Sequence, residues 1–214
     1  LAELPQDTPR ILCMYSGGLD SVGVLYRLLT EEQWSGYTLH VHHMHLHNRE
    51  GRAQAERRAV ANTLEAFRDL IDTDFLFTES AHEYQFLRKR FVFDMDISAF
   101  MAGNIAAADK RIAHVAMGRT RTDVEGGGER FQQRMARAQS IFRAVLELED
   151  REPPPYIFPV LEYSKAEIWQ FLPDSLRESA WSCRHPRYED EEPVACGECP
   201  SCKDLQAARE AAAD

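Results

Sequence analysis

The chain has 214 residues, 44% of them hydrophobic and 28% charged, a length that suits one domain with a small appendage and a composition that excludes global disorder. Twenty-five Lys and Arg against 35 Asp and Glu leave a net charge of −10, so stable nucleic-acid binding is not expected, because neutralising phosphates needs clustered cations. Apolar runs are far too short to cross a bilayer and residues 1–10 show no secretory pattern, so the expectation is a cytoplasmic location without membrane contact.

Residues 11–15, Ile-Leu-Cys-Met-Tyr, read as a buried strand ended by Ser16-Gly17-Gly18. Within it, Cys13 reads as core packing. Residues 20–31 read as a helix with Val22, Val24, Leu25, Leu28 and Leu29 on its apolar face. A turn over 34–37 leads to a second strand over 38–45. Residues 52–70 carry Ala55, Ala59, Val60, Leu64, Phe67 and Leu70 at helical spacing. A third strand spans 74–78, a helix 94–109, a fourth strand 112–117 and a long amphipathic helix 129–148. The three prolines at 153–155 interrupt the pattern before a last strand over 156–161. Ser164 caps a helix that begins at Lys165, with Glu167 as its box partner.

Strands alternating with helices predict an α/β fold with a Rossmann-like parallel sheet. Ligands of such sheets sit beyond the carboxyl ends of the strands. The rule points at residues 16–21, 45–52 and 118–128. Organisation is read as a nucleotide domain over 1–180 and a cysteine-rich segment over 181–214.

Ser16-Gly17-Gly18-Leu19-Asp20-Ser21 follows a strand and opens a helix. Two glycines permit close backbone approach, and free N–H groups at the positive end of a helix make an anion site. Ser16 and Ser21 add hydroxyl donors. Asp20 beside an anion is explained by a helix cap or by Mg²⁺. No Gly-Lys-Ser or Gly-Lys-Thr ends the string, so it is not a Walker loop.

Four cysteines, Cys183, Cys196, Cys199 and Cys202, crowd the polar, proline-containing tail. Their spacing suits a tetrahedral Zn²⁺ site, which would staple a segment with little core of its own. An iron–sulfur cluster also takes four cysteines. A closed set of four sulfurs has no open position, so the role is read as structural.

The string at 16–21 resembles the Ser-Gly-Gly-x-Asp-Ser loop of the N-type ATP pyrophosphatases, the PP-loop enzymes. The resemblance implies cleavage of ATP between its α- and β-phosphates to adenylate a carbonyl oxygen, with the loop holding the leaving pyrophosphate. Trp181-Ser182-Cys183, the Cys196-Gly197-Glu198-Cys199-Pro200-Ser201-Cys202 run and the preceding Lys165-Ala166-Glu167-Ile168 are similar to the closing part of the 7-cyano-7-deazaguanine synthase (QueC) family. That family implies ATP, Mg²⁺ and structural Zn²⁺, a 7-carboxy-7-deazaguanine substrate amidated with ammonia, and a homodimer. Between the two ends the chain departs from the family. Residues 44–50 replace a Tyr-Gly-Gln stretch, and the three glycines at 126–128 stand where a Tyr-Pro-Asp-Cys-Arg stretch is expected. A diverged ligase that joins the deazaguanine carboxylate to another amine, such as a protein N-terminus in an antiviral defence system, is therefore an alternative. A tRNA-modifying PP-loop enzyme is a second.

Site residues follow from these readings. Ser16, Gly17, Gly18, Leu19, Asp20, Ser21 and Gly118 are assigned to the nucleotide, and Asp20, Ser21, Arg119, Asp123 and Lys165 to catalysis. His45 joins them as a candidate base near the second strand's end. His40, His42, His43, His45 and His47 form a dense run, readable as a second metal site, a proton relay or ordinary strand-end histidines. The three glycines at 126–128 are read as a flexible loop that closes over substrate. Phe91, Phe93 and Phe100 are read as core or as a stacking surface for a purine-like base. The arginines at 49, 52, 57 and 58 and at 130, 134, 137 and 143 are read as solvated faces or as patches for a phosphorylated small molecule.

Overall fold

In the computed structural model, which describes residues 7–72, 74–87, 93–147 and 152–213, the first strand, β1 (Arg10–Met14), is buried along its whole length at the centre of a sheet. Its apolar residues face both ways, as a strand covered on both sides requires. β2 (Thr38–His47), β3 (Leu76–Glu83), β4 (Ile112–Ala116) and β5 (Tyr156–Ile157) complete five parallel strands in the order β3-β2-β1-β4-β5. The chain starts at the centre, builds outward to β3, then crosses back to β4 and β5. The direction therefore reverses between β1 and β4, and a crevice opens there at the strands' carboxyl ends.

Ile11, Cys13 and Tyr15 face one side of the sheet. They pack against α1 (Leu19–Thr30), α2 (Ala53–Leu70), α5 (Lys165–Phe171) and α6 (Asp174–Ser179). Leu12 and Met14 face the other side, against α3 (Asp94–Ala108) and α4 (Arg121–Leu146). The α3 surface is made of small residues (Ser98, Ala99, Ala102, Gly103 and Ala106), and α4 answers with Ala138, Phe142 and Leu146 one turn apart. After α6 come an antiparallel hairpin, β6 (Arg187–Glu189) and β7 (Glu192–Val194), and the final helix α7 (Pro200–Ala213). None of the described helices is long and apolar enough to cross a membrane.

The expected Rossmann-like sheet is present, and three elements differ from their predicted spans. β3 runs on to Glu83, because His40 to His47 of β2 offer it an unbroken ladder. β5 stops at Ile157, because Pro159 lacks an N–H and the chain turns, with the Leu161 N–H on the Phe158 carbonyl at 3.0 Å. α4 begins at Arg121. Thr120 and Asp123 form a capping box that carries the helix through Gly126 and Gly127, and Gly128 (φ 54°) then kinks it. The expected flexible glycine loop is thus the first turns of a helix.

Candidate active site

The phosphate-type loop sits where the topology predicts. Gly17 adopts φ +72°, and a Cβ there would lie 3.0 Å from the Val60 side chain and 3.1 Å from its backbone nitrogen. Only glycine lets the loop settle this closely onto α2. Gly18 is the N-cap of α1 and supplies no side-chain cap, so the first N–H groups of the helix stay open to an anion. Ser21 Oγ donates to the Gly18 carbonyl at 2.9 Å and receives the Ser16 N–H at 3.3 Å. These bonds close the loop on itself. Gly118, just past β4, abuts it: a Cβ there would meet Asp20 Cβ and Ser21 N at 3.2 Å.

A cavity of about 280 Å³ opens in front of the loop. Ser16, Gly18, Leu19, Asp20, Ser21, Gly118, Arg119 and Lys165 are among its lining residues. Lys165 Nζ lies 3.7 Å from Asp20, 3.9 Å from Asp123 and 3.6 Å from Asp204. Burial pushes the Asp20 carboxyl up to about 6 against the pull of Lys165. Burial also lowers Arg119, whose Nη1 donates to the Gly118 carbonyl at 2.9 Å. Asp123 bonds the Thr120 N–H at 3.0 Å through one oxygen and turns the other toward Lys165. Its first role is to cap α4.

The same cavity is lined by Arg52, which the sequence placed in an arginine run, and by three charges that sequence reasoning missed: Glu56, Asp94 and Arg184. Arg52 bonds Glu56 at 2.7 Å and Glu50 at 2.7 Å, and it also bonds Asp94. Arg184 holds Glu50 at 3.1 Å and Asp94 at 3.0 Å. One signal was available: Glu56 interrupts the apolar face of α2, one turn before Val60. Other arginines of the two runs sit half-exposed with partners of their own. Arg58 pairs with Glu192, Arg137 with Asp96, and both Arg134 and Arg137 cover Phe93.

His40, His42, His43 and His45 are hydrogen-bonded strand residues, as the ordinary reading expects. His45 does not line the cavity. It shares a strand face with His43, whose ring it meets edge-on, and its Nε2 meets Glu79 at 2.9 Å. His40 and His42 share the Thr78 hydroxyl at 2.7 and 2.8 Å, and Ser80 links His42 to His82. Burial pushes His40, His42 and His43 down to about 4, so they are neutral at pH 7. Among the described residues the cysteine set is the group with metal-ligand geometry, so the second metal site is not supported. Phe93 and Phe100 are exposed and outside the cavity, neither core nor stacking surface. Phe91 lies outside the described residues. Cys13 is fully buried in the core, as expected.

The four cysteine sulfurs lie within 4.8 Å of one another. The Cys183–Cys196 and Cys196–Cys202 separations are 3.6 and 3.9 Å, too long for S–S bonds of about 2.05 Å and suited to a shared metal. Backbone N–H groups of Cys196 and Cys199 point at Cys183 and Cys196 sulfurs, each at 3.3 Å. These bonds orient thiolates toward an ion. The tail also walls the cavity, through Trp181, Ser182, Arg184, Ser201 and Leu205.

The sequence profile described as queuosine biosynthesis protein QueC matches residues 10–212. The chain belongs to the QueC family. Comparison with curated protein sequences returns no match. Among solved structures, the U34-tRNA thiolase NcsA from Methanococcus maripaludis, with its 4Fe–4S cluster, is similar in fold. Its TM-score is 0.52 at 11% identity, over 99% of this chain and 67% of that one. Membership of QueC together with this fold supports an enzyme of the ATP pyrophosphatase type. ATP and a small molecule are the substrates the family implies.

Proposed function

We propose that this chain adenylates 7-carboxy-7-deazaguanine with ATP and amidates it with ammonia toward 7-cyano-7-deazaguanine, releasing AMP and pyrophosphate. The observation that supports the reading is the uncapped start of α1 opening onto a cavity that a second charged cluster also lines. The loop from Ser16 to Ser21, with Gly118 behind it, binds the polyphosphate through backbone N–H groups. The substrate carboxylate attacks the α-phosphate, and the loop, Lys165 and Arg119 stabilise the departing pyrophosphate. Asp20, Asp123 and Asp204 outweigh Lys165 and Arg119 by one negative charge. Beside a phosphate loop that surplus calls for a divalent cation, and Mg²⁺ suits the carboxylate oxygens and the phosphates.

Zinc is the proposed occupant of the cysteine set. Sulfurs about 2.3 Å from a tetrahedral ion stand about 3.8 Å apart, and the two separations above support this. A cubic iron–sulfur cluster would hold the thiolates farther apart than a single ion does. The role is structural: the ion holds the tail residues that wall the cavity.

The test is mass spectrometry of the metal-loaded chain with ATP, Mg²⁺ and 7-carboxy-7-deazaguanine, with and without ammonia. AMP, pyrophosphate and the amide or nitrile mass are the expected products. Adenylate that accepts a protein amine and not ammonia would establish the diverged ligase instead. The fold shared with a tRNA thiolase favours one further reading, tRNA modification. Turnover that requires tRNA, with iron in the cysteine site, would establish it.

A further inference from the structure

Glu56 has a position that the nucleotide-binding reading does not use. It lies on α2 one turn before Val60, the residue on which Gly17 rests. One turn is about 5.4 Å along the helix axis, so Glu56 faces the cavity close beside the phosphate loop. Its Oε1 is held by Arg52 at 2.7 Å. Its Oε2 takes no hydrogen bond from any described residue, although the side chain lines the cavity wall. The neighbouring carboxylates are occupied differently. Glu50 is held by Arg52 and Arg184 together, and so is Asp94.

We propose that Glu56 is the catalytic base for the second half-reaction, the attack of the amine on the activated acyl carbon. The inference rests on the reading that this cavity forms an acyl-adenylate. The amine lone pair forms the C–N bond, the C–O bond to AMP breaks, and AMP leaves with that electron pair. The surplus proton on nitrogen passes to Glu56 Oε2 and from there to water. Ammonia arrives largely as ammonium near neutral pH, so a base is needed to release the nucleophile as well.

The electrostatics of the recess favour Glu56 over its neighbours. The groups facing it are Arg52 and Glu50 from the loop before α2, Asp94 from α3, Arg184 from the tail and Tyr188 from β6. Two arginines against three carboxylates leave one negative charge unmatched. Burial pushes the Glu56 carboxyl up to about 7 against the pull of Arg52. A base poised there is half-available at working pH and can return its proton to solvent. Arg52 fixes its direction.

The experiment uses the full metal-loaded chain in single turnover, following adenylate and amide separately. Glu56→Gln should slow amide formation with ammonia about a hundredfold or more while adenylate accumulates. Hydroxylamine, weakly basic and unprotonated at pH 7, should restore acyl transfer to within about tenfold of wild type. Equal loss of both half-reactions, or no rescue by hydroxylamine, would overturn the proposal and leave Glu56 as a partner for Arg52. Should the variant fail to fold, the wild-type chain decides: the amide step must gain rate through a limb near pH 7 that the adenylation step lacks. A shared or absent limb overturns it. Wild-type chain that forms no AMP from any carboxylate would remove the adenylation reading, and this inference with it.

Discussion

Trp181 donates its backbone N–H to the Gly17 carbonyl at 2.9 Å and its indole N–H to the Cys183 carbonyl at 2.8 Å. One residue thus clasps the phosphate-type loop with its backbone and the first cysteine of the cluster with its side chain. The tail is therefore part of the frame of the proposed nucleotide site.

Loss of the metal should be felt at the loop. Chelation, or Cys199→Ser, is expected to leave residues 181–213 sensitive to protease and to weaken ATP binding, because the ion's binding free energy is what orders such a segment. Trp181→Phe keeps the backbone bond and loses the indole bond. About 1 kcal/mol, or roughly fivefold in ATP affinity, is expected from that one bond. Calorimetric titration of ATP into the metal-loaded and stripped forms measures both. Unchanged affinity after complete stripping would uncouple the two sites.

Gly17→Ala places a Cβ at φ +72° and 3.0 Å from Val60. The expected cost is about 1–3 kcal/mol for the strained backbone, seen as a lower melting temperature and a displaced loop with reduced pyrophosphate exchange. Gly36→Ala is the matched control, since nothing lies within 4 Å of its added Cβ. It should be nearly neutral.

The sheet and loop were legible in sequence because each rests on local signals. Residues 11–15 are apolar on both faces, and Ser16-Gly17-Gly18 stops the strand where the helix must start. The cysteine set was legible by spacing. What was not legible came from partners distant in the chain. Asp123 is the exception: it was assigned to catalysis, and Thr120, three residues before it, also makes it a cap. His45 stood near a strand end, but the pairing of β2 with β3 set Glu79 beside it. The recess around Arg52 joins residues 50, 52, 56, 94 and 184. No window of sequence contains it.

Asp20 should make stability depend on pH in a stated direction. Its folded carboxyl is raised to about 6 from an ordinary 3.8, so the folded state binds the proton more tightly than the unfolded one. Stability from this group is highest below pH 3.8 and falls as pH rises toward 6, above which the ionised group is fully destabilising. Asp20→Asn should therefore stabilise the ligand-free chain at pH 7–8, flatten that part of the profile and abolish Mg²⁺-dependent turnover. Denaturant midpoints across pH 4–8 measure the first two effects. A variant less stable than wild type at pH 8 would contradict the burial argument.

The helix that brings Lys165 to the cavity and the one that sets Asp123 beside Lys165 both begin with a capping box, and the boxes are stitched together. Glu167 receives the Ser164 N–H at 2.6 Å and Arg121 Nη2 at 2.7 Å, while the Arg121 N–H reaches the Tyr163 carbonyl at 2.9 Å. Thr120→Ala and Ser164→Ala should each cost about 1 kcal/mol of stability. Because Arg121 follows one cap and Glu167 completes the other, the losses should not add. A coupling of about 0.5 kcal/mol or more is expected from residues that share a network. Each single variant should also raise the KM for ATP, since Lys165 and Asp123 leave their places when the helix starts loosen. Strict additivity in denaturant unfolding, with KM unchanged, would show the two caps to be independent and would leave Lys165 positioned by its carboxylates alone.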